Sequence, residues 1–129
     1  MIFARFRRSQ CGASAVEFAL VAAPFFLILF GVIEGGRLLW TQLGLQHAVE
    51  MAARCASLAT SSDLNPCPGA SVQAYAASQA YGLSPPTNVF TVLSAECGSE
   101  VTATYTFAFV TSYFGIAPLT LTARSCIPH

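Results

Sequence analysis

From Phe18 to Ile33 the chain is apolar without interruption, with Glu17 at its head, Glu34 at its foot, and three arginines, Arg5, Arg7 and Arg8, ahead of it. No other feature restricts the possible folds as much. A chain of 129 residues has room for one small folded domain plus a membrane segment. Counted from Ala13, the segment reaches the ~20 helical residues that cross a ~30 Å hydrocarbon layer. Trp40 then falls where aromatic side chains prefer the membrane–water interface. A cleaved secretory signal is shorter and ends in a small-residue cleavage site, whereas this run leads into Glu34-Gly-Gly-Arg37. A buried core helix leaves the arginine-rich start without a purpose. A lipidated Cys11 needs an apolar segment before it and has Arg-Arg-Ser-Gln instead. The sequence therefore reads as a single membrane-spanning helix.

Charge orients that helix. There is no lysine, and of the six arginines three precede Gly12, so the start carries +3 while the remainder sets three arginines against six acids. Arginines flanking a first apolar segment keep it on the cytoplasmic side, which exports everything after about Arg37. The exported part has no basic surface, and this argues against a nucleic-acid partner.

The head of the apolar run has its own chemistry. A carboxylate at bilayer centre costs roughly 2.5–3.5 kcal/mol, and less near the edge, so Glu17 needs a partner. A cut after Gly12 would create one. The new α-amino group at Ala13 lies one helical turn from Glu17 in its own chain and is also available to Glu17 of a neighbour.

These residues resemble the type IV prepilins, and more closely the TadE-like minor pseudopilins of the tight-adherence (Flp) pilus machinery. The resemblance rests on the short basic leader ending in Gly12, Glu17 followed by the aromatic Phe18, the Ala-Pro-Phe-Phe-Leu helix, and Glu34-Gly-Gly-Arg37-Leu-Leu-Trp40. It covers roughly the first sixty residues. Major Flp pilins commonly carry tyrosine after the glutamate and little chain beyond the helix, so Phe18 and the long C-terminal region favour a minor component. The resemblance implies cleavage between Gly12 and Ala13 by a prepilin peptidase, with Glu17 and Phe18 serving assembly. It implies as partners the membrane, other pilins or pseudopilins and an inner-membrane assembly platform, and it implies neither a cofactor nor a small-molecule substrate. The expected location is the bacterial inner membrane, N-terminus cytoplasmic and head periplasmic, with entry into a surface pilus left open. The rival is an uncleaved signal-anchor protein whose periplasmic head binds a ligand or partner.

The spacing predicts one helical pattern from Ala13 to about Ala59, bent only by Pro24 and by Gly31 and Gly35-Gly36; about 47 residues would span roughly 70 Å. Its outer half carries Leu45, Ala48, Val49, Ala52, Cys55, Ala56 and Ala59 at helical spacing, an apolar stripe that should face a sheet. Residues 60–69 are a break rich in turn formers. Ser71 should cap a short helix from Val72 to Tyr81, ended by Gly82. Three strands follow, Val89–Cys97, Val101–Val110 and Leu119–Cys126, with Cys97-Gly98-Ser99-Glu100 as the turn between the first two. The second alternates Val101, Ala103, Tyr105, Phe107 and Phe109 with Thr102, Thr104 and Thr106.

Once Cys11 leaves with the leader, four cysteines remain in the exported part, which allows three disulfide connectivities. Cys55–Cys67 is favoured as a helix end clipped to the loop that follows it, and Cys97–Cys126 because an antiparallel return of the third strand brings Cys126 to the Cys97 end of the sheet. The fold class is α+β: a long N-terminal membrane-spanning helix packed distally on a small antiparallel sheet, a pilin-like lollipop. Its expected divisions are a cleaved leader (1–12), a transmembrane helix (13–40), the helix's extracytoplasmic continuation (41–60) and a disulfide-stapled head (61–129).

Ala15, Ala19 and Ala23, and Gly31 and Gly35, recur every four residues, a spacing that lets helices approach closely in lipid. Glu34 and Arg37 can pair at the membrane boundary beside Trp40. His47, Glu50 and Cys55 could lie near one face of the outer helix, but no compact ligand pattern of the zinc-site kind accompanies them. No nucleophile elbow, phosphate loop or polar carboxylate pair points to catalysis, so neither an enzyme nor a metal site is expected.

Overall fold

A computed structural model describes residues 11–61, 67, 71–110, 115 and 117–128. The element order is α1 (Cys11–Ser61), α2 (Val72–Gln79), a 3₁₀ turn (Thr87–Val89), β1 (Phe90–Ala95), β2 (Gly98–Phe107) and β3 (Leu119–Ile127). The fold is α+β, with the long apolar helix packed through its later turns on a small antiparallel sheet. Two compact units divide at Gly36/Arg37. Residues 1–10, which hold most of the expected leader, lie outside the described residues.

Before Gly36, α1 is a bare apolar helix. Phe18, Leu20, Val21, Leu27 and Ile28 are all exposed, and Pro24 sits inside the helix. A proline interrupts one backbone hydrogen bond. The helix nevertheless continues through Pro24, Gly31 and Gly35-Gly36.

From Arg37 onward the chain builds its core. Leu45, Ala48, Val49, Ala52 and Ala53 of α1 are fully buried and join Ala76, Ala80, Phe90, Val101, Ala103, Phe107, Leu121 and Ala123 in one apolar cluster. Burying a side chain such as Leu45 or Val101 stabilises by roughly 1.5–3 kcal/mol. Seven of those thirteen cluster residues are alanines, so the core is built largely from single methyl groups. Gln42 of α1 also donates a 3.0 Å hydrogen bond to the Thr122 carbonyl of β3.

The sheet order is β1-β2-β3, antiparallel throughout. Pairing of Phe90 with Ala103 and of Ala103 with Ala123 puts Phe90, Val92, Val101, Ala103, Leu121 and Ala123 on one face, while Leu93, opposite Glu100, lies exposed on the other. The opposite face carries Thr91, Thr102 and Arg124 in one rank, then Thr104 with Thr122 and Thr106 with Thr120. Arg124 forms an ion pair with Glu100 at 2.8 Å on that side.

Three local boundaries differ from the sequence reading. The hairpin reverses at Glu96-Cys97, with Ala95 opposite Gly98, so Gly98 opens β2 and does not sit in the turn. Its φ is +124°, and a Cβ there would collide with the Ile127 carbonyl and come within 2.6 Å of the Pro128 Cα. Glycine is needed because the end of β3 closes on it. Secondly, α2 stops at Gln79. The Ser71 side chain caps it by accepting the Ala74 N–H at 3.2 Å, and Gly82, at φ +76°, turns the chain away. Thirdly, β2 ends at Phe107, and Phe109 instead packs edge-on against the Phe107 ring, centroids 5.1 Å apart.

Two disulfides fasten this unit. Cys55 at the end of α1 is bonded to Cys67, Cα atoms 5.5 Å apart, and Cys97 to Cys126, 6.3 Å apart. The second closes a separation of 29 residues, for which chain-entropy arguments give a stabilisation of roughly 3–4 kcal/mol. Replacing Cys97 and Cys126 together by serine is therefore expected to lower the unfolding free energy by about that amount, read from urea unfolding in detergent. An unaltered midpoint would contradict it.

Candidate functional site: the apolar helix and its boundary

Gly12, Ala13, Glu17 and Phe18 all lie on exposed helix. Among the described residues, nothing comes within 4 Å of a Cβ built on Gly12. Glu17 stands four residues after Ala13 on the same helix, a rise of about 6 Å. An α-amino group is cationic at neutral pH, so an amine at Ala13 would present positive charge one turn from the carboxylate. Arg5, Arg7 and Arg8, predicted to set the orientation, lie outside the described residues.

The small residues are open. Ala15, Ala19 and Ala23 are exposed, and a Cβ added at Gly31 or Gly35 would meet nothing within 4 Å. Farther along, Phe25, Phe26 and Phe30 touch one another at 5.5 and 6.4 Å between centroids, which leaves a ridge of rings beside the smooth positions. Helix association in lipid depends on such close packing of small residues.

At the boundary, the structure adds partners that local reading missed. The Arg37 guanidinium lies over the Phe107 ring of β2, 5.4 Å from its centroid, a cation–π contact of order 0.5–2 kcal/mol. The Arg37 carbonyl accepts the Thr41 hydroxyl at 2.9 Å, which satisfies a threonine that is otherwise buried. Arg37 thus ties the start of the outer helix to the sheet, in addition to the boundary role read for it with Glu34. Periodicity within α1 carries no sign of Phe107.

The residues weighed as metal ligands are otherwise engaged. His47 stacks on Tyr81 at 5.4 Å, Glu50 accepts from Gln46 at 3.1 Å, and Cys55 is in a disulfide. Cys97, Glu100 and Cys126 bring their ligand atoms within 4.8 Å of one another, but both sulfurs are disulfide-bonded and Glu100 holds Arg124. Neither group offers a thiolate. A cleft of about 260 Å³ is lined by Trp40, Leu43, Gly44, His47 and Tyr81, a mostly apolar set.

Within α1, the stretch Gly12–Ala59 is long and apolar enough to cross a membrane, and its most apolar part is not buried by any of the described residues. One such helix near the N-terminus fits a single-pass membrane protein. A search of curated proteins and a search of solved structures return no match. A family model described as TadE-like protein matches residues 12–54, taking in the exposed apolar helix, Arg37, Trp40 and the first core turns. Over that span the chain carries the TadE-like pattern, consistent with a TadE-like protein of the tight-adherence system.

Proposed function

We propose that this chain is a minor pseudopilin of a tight-adherence pilus, stored as a single-span protein of the bacterial inner membrane and trimmed after Gly12 by a prepilin peptidase. Its N-terminus is cytoplasmic and its disulfide-bonded head periplasmic, a compartment in which cystines persist. The trimmed helix joins other pilins or pseudopilins at the inner-membrane assembly platform. Alanines and glycines from 15 to 35 supply the packing surface, and Glu17 is neutralised by an α-amino group. The work is assembly, in the service of adhesion, and no substrate is converted.

The observation that carries this reading is the coincidence of the TadE-like match with an apolar helix left fully exposed. Sixteen consecutive apolar residues, 18–33, are costly in water, at roughly 25 cal/mol per Å² of exposed apolar surface, and the chain itself covers almost none of them. Lipid and neighbouring helices are the environments that fit.

Expression in a host carrying the matching peptidase, followed by N-terminal sequencing and intact mass, tests the proposal. The expected product begins at Ala13. A persistent Met1 terminus in that host would favour an uncleaved signal anchor with a binding head.

A further inference from the structure

The cleft beside Trp40 has a use that assembly through the earlier turns does not require. Trp40, Leu43, Gly44 and His47 follow one another at helical spacing along α1, and Tyr81 faces them from the turn after α2. The two walls meet closely for want of side chains. A Cβ on Gly44 would sit 3.2 Å from Leu83 Cδ1, and one on Gly82 would sit 3.5 Å from Trp40 Nε1. His47 stacking on Tyr81 fixes the far end. Despite this order, Trp40, Leu43 and Tyr81 stay 64%, 67% and 61% exposed. An ordered, solvent-facing apolar set of this kind marks a contact surface.

The chemistry of the set selects its occupant. Tryptophan and tyrosine combine an apolar ring with a polar tip, and both collect at the headgroup level of bilayers. The lining has no carboxylate, guanidinium or ammonium group that would select a charged protein partner. Trp40 follows Ile33, the last residue of the apolar run, by seven positions, about 10 Å along a helix. It therefore enters the headgroup layer whenever that run spans the membrane. Tyr81 lines the same cleft.

We propose that the Trp40–Leu43–Tyr81 surface lies in the lipid headgroup layer, so that the head touches the bilayer through the Tyr81-Gly82-Leu83 turn as well as through its helix. This rests on the membrane-spanning reading of α1. It adds that the turn between α2 and the 3₁₀ segment is a lipid contact, and that zwitterionic lipid suffices for it.

The chain has one tryptophan, Trp40, which makes the test direct. The full chain and a Trp40→Phe/Tyr81→Trp version are placed in phosphatidylcholine vesicles, and indole emission is read against shallow-brominated lipid, deep-brominated lipid and aqueous acrylamide. The expected result is loss of emission at both positions to the shallow bromines, less to the deep ones and little to acrylamide. High salt should leave the pattern unaltered. A Trp40→Phe/Leu43→Trp version repeats the reading from the opposite wall in case an indole at 81 disturbs the turn. An indole at 81 quenched by acrylamide and spared by bromolipid would overturn the proposal, as would one shielded from both, which would mean that protein covers the cleft. Alkaline extraction separates the premises. Resistance to extraction with position 81 in water defeats this contact alone, whereas a chain released by alkali loses the spanning reading and the contact with it.

Discussion

Leucine in place of Gly12 is expected to leave the chain at its precursor mass and to abolish its recruitment into pili, whereas Glu17→Gln is expected to permit trimming and still abolish recruitment. The two substitutions act on successive steps of one process. A bulky side chain at Gly12 meets no obstacle among the described residues, so a processing defect there is expected to arise in the peptidase's own site. Glutamine at 17 removes a charge whose burial in lipid costs on the order of 2.5–3.5 kcal/mol at bilayer centre, so membrane insertion should be no worse. Loss of piliation despite good insertion and a mature Ala13 terminus would isolate the attraction between carboxylate and amine as the cause. The measurements are intact mass, alkaline extraction and counts of surface fibres on the same cells. Normal fibre numbers in the Glu17→Gln strain would sink the proposed charge pairing, and normal trimming of the leucine variant would remove Gly12 from the cleavage site.

Gly98→Val is expected to have the largest effect on the head. Valine must adopt φ +124° with its Cβ on the Ile127 carbonyl and against the Pro128 backbone. Backbone strain of about 1–3 kcal/mol is then joined by overpacking of similar size. A shift of 4–8 °C per kcal/mol is typical for a unit of this size, so the thermal midpoint of the full chain in detergent should fall by roughly 10 °C or more. Because Gly98 adjoins Cys97, the strained variant should also expose titratable thiol as the Cys97–Cys126 bond fails to close. Gly35→Ala, where an added Cβ meets nothing, is the matched control and should leave the midpoint alone. Equal midpoints for Gly98→Val and the native chain would show that the end of β3 does not close on the hairpin as described.

The two glycines also show where local reading of the sequence succeeds and where it stops. The long apolar helix, the Ser71 cap and the burial of Val101, Ala103 and Phe107 were legible, because each follows from a period or a capping rule within a few residues. Gly98 looked like a turn residue because glycine near a reversal usually is one. Its real constraint comes from Ile127 and Pro128, distant in sequence, and no local pattern contains it. Arg37 illustrates the same limit. Three residues from Glu34 on a helix, it reads as half of a boundary pair, and only the folding of β2 onto α1 reveals Phe107 beneath the guanidinium. His47 opposite Tyr81 and the cleft they help to line were hidden for the same reason. At the proposed assembly site, the spacing of Gly12, Ala13 and Glu17 was plain from the chain. The role proposed for it depends on a cut and on neighbours that one folded copy does not contain.

The methyl-built core has a consequence for genetics. Alanine scanning, the usual way to find which side chains hold a domain together, leaves Ala48, Ala52, Ala53, Ala76, Ala80, Ala103 and Ala123 unprobed, although together they make up most of the buried cluster. Tolerance at these positions runs opposite to that of a leucine-rich interior: subtraction is nearly impossible and addition is punished. Harmful variants in this protein should therefore be mostly gains of bulk, alanine to valine or threonine, changes that a survey looking for lost contacts would pass over as mild.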